Sequence, residues 1–396
     1  MVTRRRVVAG SIGGLLLSNL AGSWALGAAD AAEEPLIALP GKRPLIKRTF
    51  RPPNYETPLA DLRSQITAND AFFVRYHLAS IPEIDARTWR LRIGGASAKR
   101  TLELSLDELK RDFERVRFAA VNQCSGNRRG LFAPRAGGVQ WTYGAMGNAL
   151  WGGIRLRDVL NRVGVKGDAL EVVFDGGDGA ALPGTPDFVK SLPVDRALDA
   201  HTLIAFEMNG EPLPHWNGAP ARLVVAGWTA TYWVKHLTSI NVEPKAFDGF
   251  WMKTAYRVPR GMFGESGFVS QDSPQNVPIT GIKVNSLITS HATGARLAVG
   301  RGVTMTGIAW DGGTGIRAVQ VSTNGGANWS EASLDRNLGR YAWRQWRHEF
   351  KPQVPGRITL MARAVAADGS TQPEQLVVNP AGYHHNVMHR VECDVA

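Results

Sequence analysis

The segment FAAVNQCSGNRRGLF, residues 118–132, sets Cys124 among small and amide side chains, with Arg128 and Arg129 close behind. A thiolate is a soft metal ligand and a nucleophile, and nearby cations or a metal stabilise it. A buried, inert cysteine normally keeps aliphatic company. The polar setting of Cys124 therefore points to a ligand or a nucleophile. Two plainer readings stand beside it: a disulfide to Cys393, the other cysteine of the chain, and an ordinary half-buried thiol. The chain has no C-x-x-C and no C-x-x-C-H, so no covalently attached c-type haem is expected.

Other segments carry weaker chemical signals. In FFVRYHLASIP (72–82), Arg75 and His77 alternate with Val74 and Tyr76, so an extended backbone puts the arginine and histidine on one face. A guanidinium fork there suits an oxyanion or a phosphate; a solvent-facing edge strand is the alternative. FDGGDG (174–179) leaves Asp178 on a glycine-rich turn, where a carboxylate often serves the turn itself. WTATYWVKHL (228–237) ends in Lys235 and His236. WMKTAYRVP (251–259) puts Tyr256 between Lys253 and Arg257, cations expected to favour its phenolate, unless the tyrosine only packs.

The elements that must position these residues can be read from periodicity. Residues 33–70 are Pro-rich and mixed in charge, which predicts an extended arm. TWRLRIGG (88–95) alternates like a half-buried strand, and Ser105 and Glu108 have capping-box spacing at a helix start. IRLRDVLNRVG places Leu156, Val159, Leu160 and Val163 on one helical face, with Gly164 as its stop. LEVVF and ARLVVAG read as buried strands. The first part thus mixes strands and helices without regular βαβ alternation. After the Gly/Ser/Pro/Asn-rich stretch 261–278 the pattern turns to short strands, a hairpin turn at Asn324–Gly326, and buried-type Trp310 and Trp329. That combination predicts an immunoglobulin-like sandwich.

The N-terminus has three arginines, a short Gly- and Ser-broken apolar run and small residues around Ala31 and Ala32. This is the order of a twin-arginine signal peptide over 1–32, predicting export to the periplasm, with a short membrane anchor as the alternative. No later stretch is long and apolar enough for a transmembrane helix. The net charge is +11, and loss of Arg4, Arg5, Arg6 and Asp30 with the leader leaves +9. The basic residues are dispersed, which fits an anionic substrate or an acidic partner better than nucleic acid.

Taken together, FFVRYH, VNQCSGNRR, AFEMNGEPLPHWNGAPARLVV, VKHL and GIAW...VQVSTNGGANW resemble the sulfite oxidase family of molybdenum enzymes, from about residue 55 to the end. The form resembled is the exported bacterial sulfite dehydrogenase, without a fused cytochrome b5 domain. The resemblance implies an α+β fold: a molybdopterin-binding catalytic domain over 33–265, then an immunoglobulin-like dimerisation-type domain over 276–396. It implies one Mo-molybdopterin per chain and no haem. Cys124 would be the metal ligand; Phe73, Val74, Arg75, Tyr76, His77, Asp178, Asn217, Arg222, Trp233, Val234 and Lys235 would hold the cofactor. Arg75, His77, Arg129 and Tyr256 would form a cationic sulfite pocket. Asn217 departs from the pattern, since animal enzymes have a histidine there. The implied reaction is oxidation of sulfite to sulfate, with electrons passed singly to a c-type cytochrome, either a separate partner or a stable haem subunit. The C-terminal domain would form a homodimer unless such a subunit replaces it. Competing readings are an exported reductase of the methionine-sulfoxide type, an assimilatory nitrate reductase, and a binding module with a Cys124–Cys393 disulfide.

Overall fold

The computed structural model describes residues 36–180, 182–261 and 273–396. The leader expected over 1–32 lies outside them, as does much of the predicted boundary stretch.

The first half is built on three sheets. The Pro-rich arm is not merely extended: Leu36–Ile37, Leu45–Thr49 and Asn54–Glu56 form an antiparallel sheet that closes on Val74–Arg75. Pairing Asn54 with Arg75 and Tyr55 with Val74 fixes which way the FFVRYH segment faces. A second sheet orders Lys190–Pro193, Glu171–Gly176, Leu237–Glu243, Arg90–Gly94 and Leu102–Ser105, with one parallel pair, between Leu237–Glu243 and Arg90–Gly94. The third runs Glu211–Pro212, Thr202–Met208, Met146–Arg155, Arg115–Gln123, with Arg222–Val225 added beside Thr202–Met208.

The helices start and stop where their residues require. Ser105 caps Leu106–Asp112 through a reciprocal capping box with Glu108. Leu156–Val163 buries Leu156, Val159, Leu160 and Val163, and Gly164, at φ 78°, ends it. These faces join one core with Trp141, Trp151, Phe174 and Ile240.

The second half is a β-sandwich. One sheet orders Asn285–Ile288, Val303–Trp310, Arg344–Phe350 and Ser333–Leu334; the other orders Ala295–Leu297, His389–Val395, Gly356–Ala366, Ile316–Ser322 and Ser330–Glu331. Met305, Val319, Trp346, Leu360 and Val391 fill the space between them. The predicted hairpin forms between Ile316–Ser322 and Ser330–Glu331, but its connection is longer than a tight two-residue turn. Trp329 corrects the expectation of a buried tryptophan: it is half-buried, with the Arg363 guanidinium 4.1 Å above its ring. Cys393 lies in the sandwich core, and both cysteines are free, so the disulfide reading fails.

The two halves share a core in which Leu62, Val121 and Met146 meet Ile282, Leu287, Ile308, Trp310 and Trp343. The Val121 N–H donates to Tyr341 O at 2.9 Å, and the Thr229 N–H to Thr280 O at 2.9 Å. The sandwich is therefore bonded to the strand that leads into Cys124.

Candidate active site

Cys124 follows directly on the long strand Arg115–Gln123. Its N–H still reaches back to Ala145 O (2.9 Å), while its carbonyl accepts from the Asn127 N–H (3.0 Å), so the chain turns there. Arg128 tightens the turn with φ 66°. The two arginines then part. Arg128 is buried, donates to Ser286 O of the sandwich (3.0 Å), and lies over the rings of Tyr143 and Trp310. Arg129 packs across Gly126, where an added Cβ would come within 2.5 Å of the guanidinium and displace it. Its Nε donates to Ala381 O (2.7 Å), and its charge faces the Tyr383 ring.

A cavity opens beside the thiol. Arg75 and His77 reach it from the FFVRYH segment, while Val74 on the opposite face is fully buried against Leu45 and Tyr55. Arg75 donates to Asn54 Oδ1 (3.2 Å) and Tyr256 OH (3.5 Å). The Tyr256 hydroxyl stands 2.5 Å from His77 Nε2, and the His77 ring stacks on Phe188 at 3.6 Å. Burial, then the charges of Arg75, Lys235 and Lys190, hold His77 well below the usual histidine range, so it is neutral at pH 7. This corrects the cationic role expected of it. Burial raises the Tyr256 hydroxyl above the usual tyrosine value against the pull of Arg75 and Arg129, so it stays protonated. The expectation of a phenolate is therefore wrong, because desolvation outweighs the cations.

Two further basic side chains line the same cavity. Arg222, first residue of the strand Arg222–Val225, donates to Asn217 O and Trp233 O, both at 2.9 Å. Burial lowers its pKa to about 9. Lys235 lies under the Tyr76 ring, 2.9 Å from its centroid, and donates to Trp216 O at 3.3 Å. Burial and the Arg222 charge lower its pKa strongly, and Asp178 opposes the fall. Asp178 is in turn raised to about 6, chiefly by burial.

The structure brings Phe73, Arg75, Tyr76, His77, Cys124, Asp178, Asn217, Arg222, Trp233, Lys235 and Tyr256 to one cavity. Val74, Val234 and Arg129 do not line it: Val234 belongs to the hydrophobic core, and Arg129 lies behind Gly126. Sequence reading missed Asn122, Ser125, Phe188, Trp216 and Thr231, all of which line it. Asn122 and Ser125 flank the cysteine and were readable from their types; Phe188 and Thr231 had no local signal.

Four polar atoms of lining residues are buried without a protein partner: Asn122 Nδ2, Ser125 Oγ, Arg222 Nε and Thr231 Oγ1. Buried polar groups are rarely left unpaired. With the thiol and the basic side chains of Arg75, Arg222 and Lys235, they suit an anionic ligand with many hydrogen-bonding groups and a thiophilic metal. Among the described residues, no three His, Cys, Asp or Glu side chains cluster as a metal-ligand set. A metal here would depend on Cys124 and on donors of the cofactor itself.

Comparison with known proteins agrees with this donor set. Residues 77–251 match the oxidoreductase molybdopterin binding domain, and residues 276–396 match the Mo-co oxidoreductase dimerisation domain. Human mitochondrial sulfite oxidase is 35% identical over 383 residues, covering 92% of this chain and 68% of the human protein. The chicken sulfite oxidase is 32% identical over 382 residues, covering 92% of this chain and 81% of its own length. A barley nitrate reductase is 31% identical over 387 residues but is covered over only 42% of its length. In structure, the sulfane dehydrogenase SoxCD from Paracoccus pantotrophus superposes with a TM-score of 0.73 at 23% identity, over 97% of this chain and 96% of that one. This last likeness is one of fold.

Proposed function

The chain belongs to the sulfite oxidase family of molybdopterin-dependent oxidoreductases, and from that premise we propose that it is an exported sulfite dehydrogenase. In this reading it oxidises sulfite to sulfate and passes the electrons singly to a c-type cytochrome. The reading rests on the convergence of Cys124, Arg75 and the Tyr256–His77 pair on one cavity that Arg222 and Lys235 also line.

Cys124 would hold the molybdenum. Asn122, Ser125, Asn217, Arg222, Thr231, Trp233 and Lys235 would hold the pterin and its phosphate, with Phe73, Tyr76 and Asp178 completing the enclosure. When bound, the cofactor supplies oxygen-atom transfer and two-electron redox capacity. The chain's own residues do the rest. Arg75 draws a small oxyanion to the mouth beside Cys124 and offsets charge as sulfate forms. The Tyr256 hydroxyl, kept protonated, donates a hydrogen bond to a bound oxyanion. Neutral His77 can accept the Tyr256 proton, so the pair can hold or move one proton without adding charge to the pocket. Aromatic packing by Phe188 and Trp251 around His77 limits water around the pair.

Export by the twin-arginine route and a cytochrome acceptor belong to the same proposal, and pairing of chains through residues 276–396 would account for the dimerisation-type domain. The test is sulfite-dependent reduction of cytochrome c by purified protein, run beside a molybdenum assay. Cys124→Ser replaces a soft thiolate with a hard hydroxyl and is expected to abolish nearly all turnover. Near-normal sulfite oxidation by that variant would overturn the assignment.

A further inference from the structure

We propose that Lys42 is a positioning residue for the cofactor, acting through the side-chain amide of Asn217. Lys42 stands in the arm just before the strand Leu45–Thr49, and only 7% of it is exposed. Its ammonium has three protons and three acceptors: Asn69 O at 2.6 Å, Phe72 O at 3.0 Å and Asn217 Oδ1 at 2.9 Å.

An ammonium can only donate, so the end of the Asn217 amide facing it must be the oxygen. This fixes the amide's orientation and leaves its NH2 group on the other side. Asn217 lines the cavity, and its Oδ1 is taken up by Lys42. The Asn217 main chain is already committed, its N–H donating to Pro214 O (3.0 Å) and its carbonyl accepting from Arg222 (2.9 Å). The side-chain NH2 is thus the donor this residue can offer an acceptor-rich ligand such as a phosphate.

The same ammonium grips two neighbouring segments. Its bonds to Asn69 and Phe72 hold the chain that runs directly into Phe73 and Arg75, and its bond to Asn217 holds the short turn His215–Asn217 that also carries Trp216. Burial pulls the Lys42 pKa down to about 7, with Asp70 opposing, and the three acceptor oxygens around it, with no donor among them, favour the protonated form. A methionine would fill similar space without that desolvation cost. What it could not do is orient the amide.

The inference rests on the reading of Asn217 as facing the cofactor, and the experiment separates the two. Cofactor-loaded protein is passed through gel filtration, and the molybdopterin still bound is followed over time by the fluorescence of its oxidised pterin. Thermal midpoints of the cofactor-free chains are recorded alongside. Lys42→Met and Asn217→Ala are each expected to release the cofactor about tenfold faster, the loss of one charge-assisted or charged-ligand hydrogen bond. The double variant should release it no faster than the worse single, because both changes remove one chain of contacts. Asn217→Asp keeps the acceptor for Lys42 but sets a carboxylate in place of the NH2 against the phosphate, so it should release the cofactor at least as fast as Asn217→Ala. Should Lys42→Met not fold, Lys42→Gln is held to the same criterion. Wild-type retention in the lysine variant, or a double variant whose effects multiply, overturns the role of Lys42 alone. Wild-type retention in both Asn217 variants overturns the cofactor-facing reading of Asn217 with it.

Discussion

At the scale of single residues, the chemistry depends on which groups burial keeps neutral and which it leaves charged. Tyr256 and His77 form an uncharged hydrogen-bonded pair 2.5 Å apart, with Arg75 beside it. Removing the hydroxyl in Tyr256→Phe leaves His77 Nε2 without a partner and the oxyanion without a donor. We expect kcat/KM for sulfite to fall about 10- to 100-fold while the fold is retained, measured by steady-state kinetics and circular dichroism. Unchanged kinetics would mean that Tyr256 only packs. Residue types marked Arg75, His77, Cys124 and Tyr256 as candidates, and their roles came only from the resemblance to the sulfite oxidase family. Their protonation states were not readable, because desolvation depends on neighbours far away in sequence, such as Phe188 and Lys190.

At the scale of elements, the strand Glu171–Gly176 and the turn after it carry a cost that pH should expose. Asp175 is partly buried, and desolvation followed by the Asp187 charge raises its pKa from 3.8 to about 6. Between those values the folded state binds more protons than the unfolded state, so stability falls as pH rises from about 4 to 6 and stays lower above it. Asp175→Asn removes this term. After a discount for its solvent exposure, the variant should gain about 1 kcal/mol at pH 7 and nothing near pH 3.5. Urea titrations at both pH values would check this, and an equal gain at both would refute it. The helices over Leu106–Asp112 and Leu156–Val163 were legible because capping and amphipathic spacing are local. The small sheet formed by the arm was not: Asn54 and Arg75 pair across an intervening 3₁₀ turn, and no local pattern announces that register.

At the scale of the molecule, the sandwich is tied to the cysteine loop. Trp310 Nε1 donates to Gln123 Oε1 at 2.5 Å, next to Cys124, and its ring is fully buried in the core shared by the two halves. Trp310→Ala removes this ring and is expected to cost about 3–5 kcal/mol of stability, read from denaturant unfolding. The same variant should hold less molybdenum per chain, because the strand leading into Cys124 loses its outer support. A variant with normal metal content and wild-type stability would show that the shared core does not brace the site. The chain's positive charge carries a second consequence for the proposed electron transfer. The bimolecular rate with an acidic cytochrome should fall steeply with ionic strength, and a salt-independent rate would count against electrostatic docking.

What the sequence determined by itself was the class of fold and a set of candidate reactive groups. A lone thiol in a polar loop, an alternating Arg–His segment, capping boxes and short strands with turn signals are all local features. Only the tertiary structure decided where charge survives. It parted Arg128 from Arg129, sending one into the sandwich interface and the other behind Gly126. It neutralised His77, gathered Arg222 and Lys235 on the same cavity, and brought Lys42 from the arm to the side chain of Asn217. The reason is physical: solvation and long-range hydrogen bonding depend on three-dimensional neighbours, whereas residue type and periodicity do not.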